Sequence, residues 1–446
     1  MEGEKEMKIY TIGGYSEVGK NMTAIEVGNE IIILDCGLYL PKLLDYEEGD
    51  PRDLTTKELI KIGVVPNDNI LDSKRDNVKA IVLGHCHLDH IGAVPYLSKH
   101  YKCDIFGTRY TIEVLKTLLE DKKIDLKNRL RVLNSNSSFK VSDNITIEFI
   151  NMTHSTVQVV LIAVHTKEGI VLYANDFKFD NHPVLGKKPD YKRLEELGKQ
   201  GVKALILDSL NSREEMKTPS EKVARELLKD VLFGVNNKGK GVIVTTFSSH
   251  IARLKSIVEF GRKMNRKVLF LGRSLHKYST IASKIDVINF GKDVEIIGFR
   301  EQVKKKLKKI NDRKGEYLIV CTGNQGEPDA VLSRMAKGEL NFTFTPEDNV
   351  IFSCRVIPTP ETMRNREILE KRLKHMGVRL FTGIHTSGHA SREDHRDMIN
   401  MVKPQHLIPA HGNIEMVTGM IDLSTELGYK LGKTVHAMSD NSELDI

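Results

Sequence analysis

The apolar run Ala80-Ile81-Val82-Leu83 ends in Gly84-His85-Cys86-His87-Leu88-Asp89-His90, and no other junction constrains the chain as tightly. Alternation along an extended segment turns His85 and His87 to one side and Cys86 to the other. Asp89 and His90 then fall at the start of the next helix. Imidazoles paired with a carboxylate suit zinc or manganese, and a merely exposed histidine cluster would have no buried strand ahead of it. The spacing therefore predicts a metal site at a strand end. One short loop cannot turn all four side chains onto a single ion, so other segments must contribute. His154 follows IEFINMT, Asp176 follows GIVLYAN and His411 follows HLIPA. Each ends an apolar run, where strand-end loops present functional groups, although each taken singly is equally well ordinary loop polarity.

At 446 residues the chain is too long for one ordinary core, so two or three domains are expected. No window approaches 18 uncharged apolar residues, which excludes a helical membrane span. The charged opening MEGEKEMKIYTIGG lacks the apolar centre of a secretion signal, so a cytoplasmic location is the default. The five cysteines form no CxxC pair, which argues against a disulfide framework or a cysteine-based zinc site. A net charge of +7 is compatible with a polyanion partner without requiring one.

Up to about residue 208, β-rich runs such as NMTAIEVGNEIIILDCG, ITIEFINM and QVVLIAVHT alternate with helical stretches at HIGAVPYLSKH and TIEVLKTLLEDKK. From 209 to about 375 the rhythm becomes strand–helix–strand, the mark of a parallel α/β unit. There GVIVTTF, KVLFLG and EYLIVCTG read as buried strands, and SEKVARELLKDVL reads as an amphipathic helix capped by Thr218 or Ser220. The run Lys304–Lys309 holds five lysines in six positions, either a solvated helix face or a nucleic-acid contact. Short β runs return after residue 376.

HxHxDH followed by a lone His, a lone Asp and a late His resembles the ligand order of the metallo-β-lactamase fold. The resemblance implies an αββα sandwich in which His85, His87 and His154 hold one ion, Asp89, His90 and His411 a second, and Asp176 bridges them. Asp35, in IIILDCG, corresponds to a carboxylate that orients a ligand histidine. The α/β stretch, preceded by LILDSLN and followed by HTSGHASREDH and IPAHG, is similar to the insert of the β-CASP nucleases. Asp208, His389 and His411 match motifs A, B and C of that group. Within it the chain resembles ribonuclease J along nearly its whole length, in NDFKFDNHPVLGKKPD, TTFSSHIARLK, GRSL, CTGNQGEPDAVLSRMA and above all HTSGH. The implied fold class is α/β: sandwich residues 1–208 and 376–446 around a β-CASP insert at 209–375. Two departures stand out. Bacterial members usually carry a further C-terminal domain, so the chain resembles the shorter archaeal form. Residue 250 is His where Asn is expected.

The resemblance implies a 5′→3′ exoribonuclease working on single-stranded RNA with a 5′-monophosphate. It would use two divalent ions, zinc first with manganese or magnesium as alternatives. Catalytic roles fall to Asp89 and to His389, the general-acid candidate oriented by Asp208. The loop His385-Thr386-Ser387-Gly388-His389-Ala390-Ser391 would seat the 5′-phosphate, its small residues letting backbone N–H groups approach closely. Ser248, Ser249, His250, Arg253 and Arg273 are candidate backbone contacts from the insert, although arginines at such places often only pair with local acids. His395, in REDHRD, reads as a solvated helix position. A homodimer is offered by the family alone. The competing readings are an endonuclease of the cleavage-factor type, a catalytically silent RNA-binding protein, and a small-molecule hydrolase of the glyoxalase type.

Overall fold

The computed structural model describes residues 7–44 and 54–446, and the charged opening residues 1–6 lie outside it. Two sheets pack face to face. The first runs, in spatial order, Ser442–Asp445, Met7–Gly13, Met22–Val27, Glu30–Leu34, Val78–Val82, Asp104–Gly107 and Leu130–Val132. The second runs His406–Ala410, Val202–Asp208, Gly169–Ala174, Val160–Thr166, Thr146–Asn151 and Ser137–Lys140. Leu34, Val82, Phe149, Ile162, Ile206 and Ile408 interdigitate between them. Helix Arg109–Asp121 covers the outer face of the first sheet through Tyr110, Val114 and Leu115. Helices Tyr191–Gln200, Arg392–Val402 and Ile414–Glu426 cover the second through Leu194, Met398 and Met420. That is the expected αββα sandwich. Within strands Glu30–Leu34 and Val78–Val82 the stretches IIIL and AIV are continuously apolar because they are covered on both faces.

The third sheet is wholly parallel, in the order Val294–Ile297, Lys267–Leu271, Tyr317–Cys321, Val242–Thr245, Asn349–Phe352 and Arg379–Phe381. It confirms the α/β insert and runs past residue 375, because the short run VRLF joins this sheet rather than the sandwich. Ser220, not Thr218, caps helix Glu221–Gly234 by accepting from the Lys222 amide. Insert and sandwich meet where Tyr110 Oη donates to the Tyr278 carbonyl at 3.2 Å and Lys277 pairs with Asp121 at 3.0 Å. All five cysteines are free. No helix among the described residues is long and apolar enough to cross a membrane.

The helix expected over HIGAVPYLSKH is broken into Leu88–Ile91, Val94–Leu97 and a 3₁₀ turn Ser98–His100. The break lets the Ala93 amide donate to the Cys36 carbonyl, which docks the turn onto the loop after strand Glu30–Leu34. The docking is close: a Cβ on Gly37 would lie 1.6 Å from the Asp89 carbonyl oxygen. Asp35, Asp176 and His411 end their strands with φ of 59°, 53° and 52°, left-handed values that cost a non-glycine residue about 1–3 kcal/mol each. The strands bear that strain because each buried Ile, Leu or Val stabilises by about 1.5–3 kcal/mol. Gly37→Ala should push the 88–91 turn off its seat. The expected result is a folded sandwich with lowered thermal stability and markedly less bound divalent metal, read by calorimetry and metal analysis; undiminished metal content would refute this account of Gly37.

Candidate metal centre and its surrounding loops

Each side chain of the predicted cluster enters from a strand end. His85 and His87 follow Val78–Val82, His154 follows Thr146–Asn151, Asp176 follows Gly169–Ala174 and His411 follows His406–Ala410. The structure brings all seven together. His85, His87, His154 and Asp176 form one group of potential ligands, and Asp89, His90 and His411 another, with the donor atoms of each group within 4.8 Å of one another. His85 Nε2 lies 2.9 Å from His87 Nδ1, and His154 Nε2 lies 3.4 Å from the same atom. Asp176 stands between the groups, its Oδ2 3.5 Å from His85, 3.5 Å from His154 and 3.2 Å from His90, and its Oδ1 3.5 Å from His411.

The donor set fits divalent cations. Asp176 Oδ1 is buried and accepts no hydrogen bond, an arrangement that wants a positive charge beside it. Burial holds His85 and His154 well below the usual imidazole range and brings His87 to about 4, so all three offer lone pairs at neutral pH. His90 goes the other way. Burial opposes its charge, but Asp176, Asp35 and Asp89 outweigh burial and raise its pKa.

The far nitrogen of four of these rings is held by a second group. His90 Nδ1 donates to Asp35 Oδ2 at 2.7 Å, and Asp35 is itself fixed by the Gly84 amide and the Tyr173 hydroxyl. His154 Nδ1 donates to the Gly388 carbonyl at 2.7 Å, His87 Nε2 lies 3.0 Å from Ser249 Oγ, and His411 Nδ1 donates to Asn21 Oδ1 at 3.0 Å. Such contacts set which nitrogen faces the cluster. Asn21, 1% exposed, also donates through its amide to the Asp89 carbonyl. Sequence reading missed it: GKNM ends no apolar run, and only its place between a glycine turn and a strand marks it.

Beside the cluster, His389 Nδ1 donates to Asp208 Oδ2 at 2.8 Å, while Nε2 lies 3.9 Å from Asp176. Burial opposes charge on His389, while the Asp176 and Asp208 carboxylates favour it and raise its pKa to about 9. The 385–391 loop wraps this pair. Ser387 Oγ accepts from Asn211 and from the His389 amide, and Thr218 Oγ1 donates to the His389 carbonyl. A Cβ on Gly388 would meet Ser155 Cβ at 2.8 Å, so only glycine fits there. His385 Nδ1 and Thr386 Oγ1 are buried without partners, and His385 sits by the buried Arg253, His250 and Glu221 rather than at the cluster.

Several expectations need correcting. Ala390 and Ser391 are 0% and 1% exposed; Ala390 packs in the core, and Ser391 forms a capping box with Asp394 at the start of helix Arg392–Val402. Their side chains therefore offer no contact of their own at the surface. Arg253 is fully buried. Its guanidinium grips Glu221 at 2.5 and 2.8 Å and donates to the carbonyls of Ser353 and Ile384, which leaves nothing for a phosphate. His250 is 2% exposed and lies 3.3 Å from Glu221, so it belongs to the same internal cluster. Ser248 and Ser249 line the loop after strand Val242–Thr245, and Arg273 is exposed at the head of helix Arg273–Lys284. His395 is not solvated: it is fully buried, 6.0 Å from the Phe177 ring, and neither ring nitrogen has a partner.

Sandwich, insert and strand-end cluster together define a metallo-β-lactamase-type hydrolase with a β-CASP unit. Residues 16–224 match the family model of the metallo-beta-lactamase superfamily, 239–370 that of the ribonuclease J beta-CASP domain, and 377–438 that of the Zn-dependent metallo-hydrolase RNA specificity domain. The chain is 47% identical over 435 residues to Ribonuclease J of Methanocaldococcus jannaschii, covering 97% of each chain. It is 44% identical over 442 residues to Ribonuclease J of Pyrococcus abyssi, covering 99% of this chain and 97% of that one. It belongs to the ribonuclease J family. A crystal structure titled as a protein of unknown function from Enterococcus faecalis superposes with a TM-score of 0.68 over 99% of this chain and 100% of that one, at 15% identity, and supports the fold alone.

Two outcomes follow from these contacts. Asn21→Ala should weaken divalent-metal binding about 10–100-fold, read by competition with a chelator, with the fold retained. Arg253→Met should cost about 3–5 kcal/mol of stability by stranding the Glu221 carboxylate. It should leave the salt slope of RNA binding unchanged, whereas the slope would fall if Arg253 held a phosphate.

Proposed function

We propose that this protein, a metal-dependent ribonuclease by its family, removes nucleotides in the 5′→3′ direction from RNA that begins with a monophosphate. The observation that carries the reading is the convergence of seven ligand-type side chains beside the His389–Asp208 pair and the 385–389 loop. His85, His87 and His154 would hold one divalent ion and Asp89, His90 and His411 a second, with Asp176 shared between them. The imidazole-and-carboxylate donor set favours zinc, with manganese or magnesium as alternatives. When bound, such ions supply Lewis acidity and a water of lowered pKa.

The chain's own residues do the rest. Protonated Nε2 of His389 faces the cluster, poised to give its proton to the departing 3′-oxygen, while Asp208 holds the ring in that orientation. Gly388 brings backbone close to His154, and Ser387 stands beside it between Asn211 and the His389 amide, a setting suited to an anionic RNA end. Exposed Arg273 and half-buried Ser248 would extend the phosphate-binding surface into the insert. A cytoplasmic location and a homodimer fit this reading.

The test uses 5′-labelled RNA bearing monophosphate, triphosphate or hydroxyl ends, beside circular RNA. Monophosphate RNA should release labelled mononucleotide first, and circular RNA should stay intact. His389→Ala should cut turnover about 10²–10⁴-fold while sparing RNA affinity. A ladder of internal fragments from all substrates, circular RNA included, would establish the endonuclease instead.

A further inference from the structure

The lysine run now has a place. Residues Arg300–Ile310 form a helix that buries Val303, Leu307 and Ile310 and turns Arg300, Lys304, Lys305, Lys308 and Lys309 to solvent. Lys306 bends back to Glu295. Arg300, Lys304 and Lys308, four residues apart, stand one above another on a single face. Directly before them Phe299 is 64% exposed. An isolated exposed apolar side chain is unremarkable; its position is what matters here. Phe299 follows strand Val294–Ile297, at the carboxyl edge of the parallel sheet, and its ring lies 6.2 Å from that of His276. His276 sits on helix Arg273–Lys284, where Ser274 Oγ is 3.0 Å from Ser248 Oγ. Next to Ser248, Ser249 touches His87 of the metal cluster. A line of contacts thus leads from the candidate centre along the sheet edge to an exposed ring, and from there onto a row of free cations.

Single strands are held by this pairing: aromatic faces stack on bases whatever the sequence, while cations track the phosphates. We propose that Phe299 with Arg300, Lys304 and Lys308 is a landing surface for single-stranded RNA, engaging the strand several nucleotides away from the bond being cut. The proposal deepens the ribonuclease reading and rests on it for the substrate. The surface would favour long RNAs over short ones, because only a long strand reaches from the centre to Phe299.

The experiment measures equilibrium binding of 3′-fluorescein RNAs of about four and about thirty nucleotides to the full chain carrying Asp89→Asn, so that the RNA survives. Adding Phe299→Ala should raise Kd for the long RNA about ten-fold and that for the short RNA less than two-fold. Phe299→Tyr should keep the affinity that Phe299→Leu loses. Lys304→Glu with Lys308→Glu should lower the slope of log Kd against log salt by about 0.7 for each phosphate that the surface no longer neutralises. Lys199→Glu with Lys403→Glu, exposed residues on the sandwich, is the charge-matched control and should leave the slope alone. Equal weakening on both RNAs, leucine as good as phenylalanine, an unchanged slope, or a control as damaging as the lysine pair would overturn the proposal. Degradation of RNA by the Asp89→Asn chain itself would instead count against the ribonuclease reading of the centre.

Discussion

Asp176 is the group on which the architecture depends. Its carboxylate is 1% exposed, and four imidazoles crowd it at 3.2–3.5 Å. An uncompensated carboxylate at that depth costs several kcal/mol. It is tolerable only where histidines, and the cations they can gather, surround it from all sides. That requirement dictates the sandwich: ligands must arrive from both sheets, each on a strand stiff enough to hold a bent end. The left-handed turns at Asp35, Asp176 and His411 are the local form of the same demand. They aim side chains inward where an extended backbone would carry them past the centre.

The insert is more than an appendage to this arrangement. Arg253, on its helix Ile251–Lys263, holds Glu221 with one side of the guanidinium and the Ile384 carbonyl with the other. The Glu221 amide in turn donates to Asp180, whose own amide bonds Thr153, the neighbour of His154. A ring of buried contacts therefore runs from the metal cluster through the insert to the entrance of the 385–389 loop. It anchors the chain at Ile384, directly ahead of the loop that carries His389.

Much of the site was legible in the sequence because its signal is local. His154, Asp176 and His411 each follow a short apolar run whose strand character is plain, and HxHxDH, which supplies the other four cluster residues, follows another. The αββα and parallel α/β layers were legible for the same reason, through the change from short β runs to strand–helix alternation. What the sequence withheld depends on three-dimensional neighbours. Arg253 and an RNA-binding arginine have the same letter and the same helical setting, and only its burial against Glu221 separates them. His395 stands in a charged stretch, yet its position on helix Arg392–Val402 turns it into the core. Ala390 and Ser391 read as loop but already belong to the cap of that helix. Asn21 lies nearly 400 positions from the His411 ring it steadies, so no local pattern could join them.

One hydrogen bond ties together two properties that are usually discussed apart. The carbonyl that steadies His154 belongs to Gly388, in the middle of the loop that carries His389. Exchanging that loop for one of another length or course would move His389, and it would also free an imidazole of the cluster from its anchor. The place of His389 and the hold on His154 are thus coupled, and a different loop would have to supply a new anchor for that ring.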